Sequence, residues 1–293
     1  MASNLLLAAI VAGFAFFFHV SRVLDYGNVI YNHRPGVCRR ISGPVNGSED
    51  IEVVKSEGIA FITSGLIFMT PERAHVRGKI FLYDLNQNPG AGQLSAVDLP
   101  ISGNFDHTNF HPHGLTHWVV NGVIRLTGSV YYSDLKTFTP IIEKKGSPNG
   151  IAYDDARNKL FVSIVNSEEI EAYELAKDKR SATFLSTTPT YSTCDNLSVD
   201  GDGEVFSGCH PIMHESAKTM GDPDNHAIFA PSHVLRLKYS EDYTKPAFVS
   251  EPYANDGREI TGASSAVVFN NQMLIGSVFR NLIHCEIADR SVL

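Results

Sequence analysis

The sequence has no run of lysines and arginines; 24 basic residues stand against 32 acidic ones, for a net charge of −8. A phosphate backbone is bound through clustered Lys and Arg, so this balance argues against a nucleic-acid partner. There is no Gly-x-Ser-x-Gly elbow and no alternation of strands and helices to hold one, which argues against serine-based catalysis of the α/β type. Amphipathic helices are also scarce: only Ile212 to Met220 has that pattern. Cysteines number four, Cys38, Cys194, Cys209 and Cys285. In an oxidising compartment a bridge is expected among them, and a Cys38–Cys285 bridge would tie the two ends of the globular region together. Four cysteines allow three full pairings, and the sequence does not choose. Cys209 beside His210 reads as a buried structural cysteine, since no environment that lowers a thiol pKa is legible. What is present, 43% apolar and 19% charged residues, is the composition of a core-burying globular chain.

One long apolar run exists, Leu5 to Phe18, extended by Val20, Val23 and Leu24 around His19, Ser21 and Arg22. As a helix the run covers about 21 Å, short of a hydrocarbon core of about 30 Å, which fits a signal-peptide core. However, Met1 to Asn4 carries no positive charge, and no small-x-small cleavage site follows Phe18. The uncleaved signal anchor is the preferred reading, and either way the bulk of the chain enters the secretory pathway. Residues 1–24 are read as the anchor, 25–37 as a linker and 38–293 as one β domain. Asn46-Gly-Ser48 is a glycosylation acceptor for that compartment. Asn196-Leu-Ser198 also fits the pattern, but at a position expected to be buried.

After residue 37 the pattern is strand-like. Ile59–Ile62, Lys79–Tyr83, Lys159–Ser163, Glu204–Ser207, Val234–Lys238 and Met273–Gly276 are short β-branched and aromatic runs bounded by Gly, Pro, Asn or Asp. Hairpin turns are expected at Asn121-Gly122, Asp200 to Gly203, and Asn270-Asn271. A loose repeat joins Pro112-His113-Gly114-Leu115, Pro148-Asn149-Gly150-Ile151 and Asp195-Asn196-Leu197. His113 to Asn149 is 36 residues and Asn149 to Asn196 is 47. Propeller blades run about 40–50 residues, so the second interval fits and the first is short. The fold class is therefore all-β; a β-sandwich gives no reason for Asn, Asp and His to recur at equivalent places, whereas the innermost strands of a β-propeller, the preferred reading, bring polar residues from distant positions to one axial point.

A hard cation such as calcium takes six to eight oxygen ligands. Glu49, Asn149, Asp195 and Asn196 are of the right type at such positions. Two other patterns are set aside. Asp200-Gly-Asp202-Gly-Glu204 opens like an EF-hand loop, but it has Val205 where the glycine belongs and Pro211 where the bidentate glutamate belongs. His107, His111, His113 and His117 crowd together, yet no third set of ligands completes a zinc spacing.

Gly47-Ser-Glu-Asp50 with Gly58 to Gly65, Gly78 to Leu85, Pro112-His-Gly114, Asn149-Gly-Ile151, Asp195 to Asp200, Gly208-Cys-His-Pro211, Leu274 to Phe279 and His284-Cys-Glu286 resemble, in order, the serum paraoxonase/arylesterase family. The resemblance covers nearly all of the chain after residue 38. It implies a six-bladed propeller with two axial calcium ions, one catalytic and one structural, and hydrolysis of lactones and aryl esters. By motif, Glu49, Asn149, Asp195 and Asn196 would bind the catalytic ion. Asp50 and the backbone carbonyl of Leu115 would bind the structural one. His113 would be the general base and His210 would line the site. Cys38 and Cys285 match the end-tying disulfide of the family, whereas Cys194 matches no family role. The N-terminal helix implies a membrane or lipoprotein surface as a partner.

The chain departs from that pattern between Leu115 and Asn149. The family has there a second histidine and an Asn-Asp pair giving one ligand to each calcium, and nothing in Thr116 to Pro148 matches. Roughly sixty residues, more than one blade, are missing by this comparison. Five blades or an incomplete six-bladed ring are expected. Three readings follow: a calcium-dependent lactonase and arylesterase, impaired to the extent that the missing segment is needed; a catalytically weak, membrane-anchored binding or chaperone-like homologue, as some paraoxonase-like proteins are thought to act on membrane-channel assembly; or a shortened product whose ring fails to close, with exposed strand edges.

Overall fold

The computed structural model describes residues 2–67, 71–87, 92–102, 106, 108–120, 123–127, 132–133, 138–139, 141–142 and 146–293. The expected turn at Asn121-Gly122 and His107 lie outside them. The chain opens with helix α1 (Ala2–Val23). Because the helix continues through His19, Ser21 and Arg22, it is about 33 Å long rather than the 21 Å of the apolar run alone. Its Leu5–Val23 stretch is long and apolar enough to cross a membrane by length and composition, and none of it is buried in the protein.

Strand β1 (Cys38–Arg40) is followed by β2 (Ile51–Val54), β3 (Ile59–Ser64), β4 (Lys79–Asp84) and β5 (Val97–Asp98), which form one antiparallel four-stranded sheet in sequence order. Next come two two-stranded sheets, β6 (Thr116–Val120) with β7 (Val123–Thr127) and β8 (Tyr132–Ser133) with β9 (Phe138–Thr139). β10 (Pro148–Asp154), β11 (Lys159–Ile164), β12 (Glu169–Leu175) and β13 (Ala182–Pro189) form the second four-stranded sheet. The third comprises β14 (Thr193–Val199), β15 (Val205–His210), β16 (Ser232–Lys238) and β17 (Phe248–Asn255), with helix α2 (Met213–Gly221) inserted after β15. The fourth runs β18 (Thr261–Phe269), β19 (Gln272–Arg280), β20 (Ile283–Glu286) and then β1.

The first strand of each sheet is the inner one. β10 packs on β14, β14 on β18, β18 on β2, and β2 on β6. That succession around an axis is a propeller, with four four-stranded blades among the described residues and the short β6–β9 sheets between the first and second of them in sequence. The core lies between blades. Phe161, Ile170 and Ala172 pack with Leu197, Val205 and Leu235, and Ile62, Phe81 and Tyr83 pack with Val267 and Leu274. Alternate residues of each strand therefore bury against the next blade, as the period-2 pattern requires.

The ring is tied where the chain's beginning meets its end. β1 pairs with β20 in the register Cys38↔Cys285, and those two residues form a disulfide. Its 247-residue span closes a very long loop of the unfolded chain. The second bridge, Cys194–Cys209, joins β14 to β15 across a hairpin and gives Cys194 the role that the family pattern lacks. The turns expected at Asp200 to Gly203 and Asn270-Asn271 are formed, the second with positive φ at both residues. Replacing Cys38 and Cys285 together by Ala should lower stability by about 2–5 kcal/mol. Denaturant unfolding of the double variant checks this, and an unchanged midpoint would contradict it.

Candidate functional site

The inner strands carry a repeated irregularity. In the second blade Pro148 pairs with Ile164 and Ile151 with Val162, so Asn149 and Gly150 together face Ser163. In the third, Cys194 pairs with Cys209 and Leu197 with Ser207, so Asp195 and Asn196 together face Gly208. Each is a β-bulge, which bends the strand and re-aims its side chains. Blade contact is close at these bulges: a Cβ on Gly150 would stand 2.1 Å from the Asp195 carbonyl oxygen. Serine hydroxyls stitch the freed backbone. Ser163 Oγ donates to the Asp195 carbonyl (2.9 Å), Ser207 Oγ to that of Asn196 (2.9 Å), and Ser264 Oγ to that of Glu49 (2.7 Å).

Glu49 and Asp50 enter from the start of the first blade. Ser48 exchanges two backbone hydrogen bonds with Ser277 of β19, and Glu49 N–H donates to the Thr63 carbonyl. The Glu49 carboxylate, on a residue 2% exposed, accepts from Asn196 Nδ2 at 2.9 Å. Asn149 Nδ2 donates to Asp195 Oδ1 at 2.6 Å. His113 Nδ1 lies 3.5 Å from Glu49 Oε1, with the histidine side chain 68% exposed. His210 Nε2 lies 3.8 Å from Asp195 Oδ2, and its Nδ1 lies 3.4 Å from Ser216 Oγ of α2. Asp50 accepts from the backbone N–H groups of Ile51 (2.9 Å) and Leu115 (2.8 Å). Leu115 thus meets Asp50 through its N–H. Glu49, Asn149, Asp195, Asn196, His113 and His210 form one connected group, with Asp50 and Leu115 beside it.

Electrostatics sharpen the picture. Burial, then the neighbouring Glu49 carboxylate, holds the Asp50 carboxyl well above the usual carboxylate range. His113 is raised by its hydrogen bond to Glu49 and by the charges of Glu49, Asp195 and Asp50. Among the described residues no lysine or arginine pairs with Glu49, Asp50 or Asp195. Two side-chain amides turn their N–H groups onto the carboxylates instead. A half-turn of either amide presents its oxygen, so the set has the hard-oxygen chemistry that calcium requires. The amides are needed: among the described residues no three His, Cys, Asp or Glu side chains are grouped to hold a metal. His111 turns its ring to the Gly65 carbonyl and His117 to Glu52, away from a shared zinc site. Asn46 accepts from Arg73 Nη2 (3.2 Å), and Ser48 of that glycosylation pattern is fully buried. Asn196 is half-buried within β14.

One constellation was not anticipated. Ser192 Oγ lies 2.8 Å from His233 Nε2, and His233 Nδ1 lies 2.6 Å from Glu251 Oε1. This has the order of a serine-hydrolase relay, but Ser192 is 1% exposed, and an ester carbonyl has no approach to it. His33 Nε2 meets the Glu251 carbonyl at 2.5 Å, so the group fastens the segment after α1 to the third blade. No sequence motif marks it.

The inner strands of a propeller thus bring carboxylates, amides and imidazoles from separate blades into contact. The arylesterase family model matches residues 31–123 and 119–287, and the chain belongs to that family. The two matches meet at 119–123, inside the 116–148 span that lacks the family's segment. Mechanosensory abnormality protein 6 of Caenorhabditis elegans is 26% identical over 340 aligned positions, covering 90% of each chain. Serum paraoxonase/lactonase 3 of Homo sapiens is 29% identical over 331, covering 86% of this chain and 89% of that one. Both alignments are longer than this chain of 293 residues, so they leave gaps in it. A solved luciferin-regenerating enzyme superposes with a TM-score of 0.47 at 9% identity, covering 86% of this chain and 95% of that one.

Asp50 has a folded pKa above its unfolded one. The stability it contributes is therefore fully present below the ordinary Asp value and is lost as pH rises through the folded value. In chelator, the melting midpoint should fall from about pH 4 upward, and Asp50→Asn should flatten the slope. Equal slopes for the two proteins would contradict this placement.

Proposed function

We propose that the chain is a calcium-dependent hydrolase of lactones and aryl esters. Glu49, Asn149, Asp195 and Asn196 would hold the catalytic ion, and Asp50 with Leu115 a structural one. The observation that carries the reading is that these oxygen-bearing side chains meet across blades, Asn196 on Glu49 and Asn149 on Asp195, each carboxylate beside a histidine, with no fixed cation of the chain paired to the carboxylates among the described residues. Calcium, when bound, supplies a Lewis acid that polarises the ester carbonyl. The chain's own residues do the rest. Glu49 and Asp195 supply the negative charge, and the bulges aim Asn149 and Asn196 beside them. His113 has Nδ1 towards Glu49, leaving Nε2 to take a proton from the attacking water. His210, held against Ser216, forms the wall beside Asp195.

The family's ester and lactone chemistry, carried in the names of its members, supports the substrate class. The apolar α1 and the two disulfides fit a secretory or membrane-anchored setting. α1 ends at the site's face: the Leu24 carbonyl accepts from His214 of α2 (Nδ1, 2.7 Å), and Tyr26 stacks on that ring at 4.1 Å.

A binding role with weak catalysis is the second reading, and one observation favours it. The partner of His113 among the described residues is Glu49; His111 and His117, turned elsewhere, do not form the histidine pair that the resemblance implies. The relative named for a mechanosensory abnormality aligns over nine-tenths of both chains.

Purified chain should hydrolyse a simple lactone and an aryl acetate with calcium and stop in chelator. Asn196→Ala should abolish the calcium response, and His113→Ala should lower kcat by about 10²–10⁴-fold. A folded, soluble chain without turnover would sink the hydrolase reading in favour of binding.

A further inference from the structure

The bulges of the second and third blades are equivalent, and they are flanked differently. On the rim side of the Asn149-Gly150 bulge stands an ordinary cross-strand pair, Pro148 and Ile164. On the rim side of the Asp195-Asn196 bulge, the same position is occupied by the disulfide Cys194–Cys209. Both cysteines are buried, and each adjoins a site residue in sequence, Cys194 next to Asp195 and Cys209 next to His210.

The two bulges differ in what they carry. The Asn149-Gly150 bulge carries one neutral amide. The Asp195-Asn196 bulge carries two candidate ligands side by side, a carboxylate that accepts from Asn149 and an amide that donates to Glu49, so a shift of this bulge displaces both at once. On the inner side Leu197↔Ser207 fixes the register, and on the outer side only Thr193↔His210 lies beyond the cysteines before the strand ends. Without a covalent tie, the bulge has one strong flank and one fraying flank.

We infer that the Cys194–Cys209 disulfide is a positioning element for the metal site. It pins the rim flank of the bulge so that Asp195 and Asn196 stand ready for a divalent cation before one arrives. The inference rests on the calcium reading above and adds to it a residue pair that touches neither ion nor substrate. Groups that support metal ligands commonly change metal affinity by about 10–100-fold when removed, and preorganisation is the means by which they do so.

The test is calcium titration of the purified full chain in detergent by calorimetry, with thermal unfolding measured beside it. The native chain is compared with three double variants. Cys194→Ala/Cys209→Ala should bind calcium about 10–100-fold more weakly. Cys38→Ala/Cys285→Ala, which cuts the remote bridge, should lose thermal stability while its calcium affinity stays native. Cys194→Val/Cys209→Ile, which restores an apolar cross-strand pair like that of the second blade, should recover thermal stability but not calcium affinity. Native affinity in the Ala double variant, or affinity restored by the Val/Ile pair, would overturn the inference and leave the calcium reading standing. A native chain that takes up no calcium would end both at the first titration, before any cysteine is changed.

Discussion

Glu49 and Asp50 hold two neighbouring carboxylates in a poorly solvated place, the charge of Asp195 is felt with theirs at His113, and among the described residues no lysine or arginine is paired to the three. Two unit charges 4 Å apart near a protein surface interact by about 4 kcal/mol, so such a cluster must be held by its surroundings. Ser48 locks the first blade to the last, the bulges aim Asp195 and the two asparagines, and Ser163, Ser207 and Ser264 bind the exposed carbonyls of that backbone. The amides of Asn149 and Asn196 lean on the carboxylates in the only way open to them without a cation, by donating N–H.

The geometry depends in turn on where the ring is joined. β1 completes the last blade, and the segment that leads on to Glu49 is fixed beside the site by the Ser48–Ser277 bridge, well beyond the remote Cys38. The same design puts α1 and the segment after it on the site's face, where Asp25 accepts from the Met213 N–H and Asn28 donates to the Pro211 carbonyl. The segment after α1, then α2, then His210 form one continuous run of contacts.

Much of this was legible in the sequence, for identifiable reasons. Period-2 runs bounded by turn residues mark strands directly, and Lys159–Ile164 and Gln272–Arg280 contain the runs read there. The α2 helix lies one residue from the Ile212 to Met220 pattern. Asn149, Asp195 and Asn196 stood out as candidate ligands because they recur at strand starts. The bulges were hidden, since they follow from pairing register rather than from residue type. The Cys194–Cys209 bridge carried a signal that was not used: each cysteine stands six residues from the Asp200–Gly203 turn, which places them across from one another in a hairpin. The Ser192–His233–Glu251 group joins three positions far apart in sequence, and no local pattern announces it.

The account stands on a cation at the axis, and a crystal structure of the full chain grown with calcium, read for anomalous scattering, tests that most directly. The account predicts a peak bounded by Glu49, Asn149, Asp195 and Asn196, with both amides turned so that their oxygens face it. No peak there, with Asn149 and Asn196 still donating to Asp195 and Glu49, would contradict it.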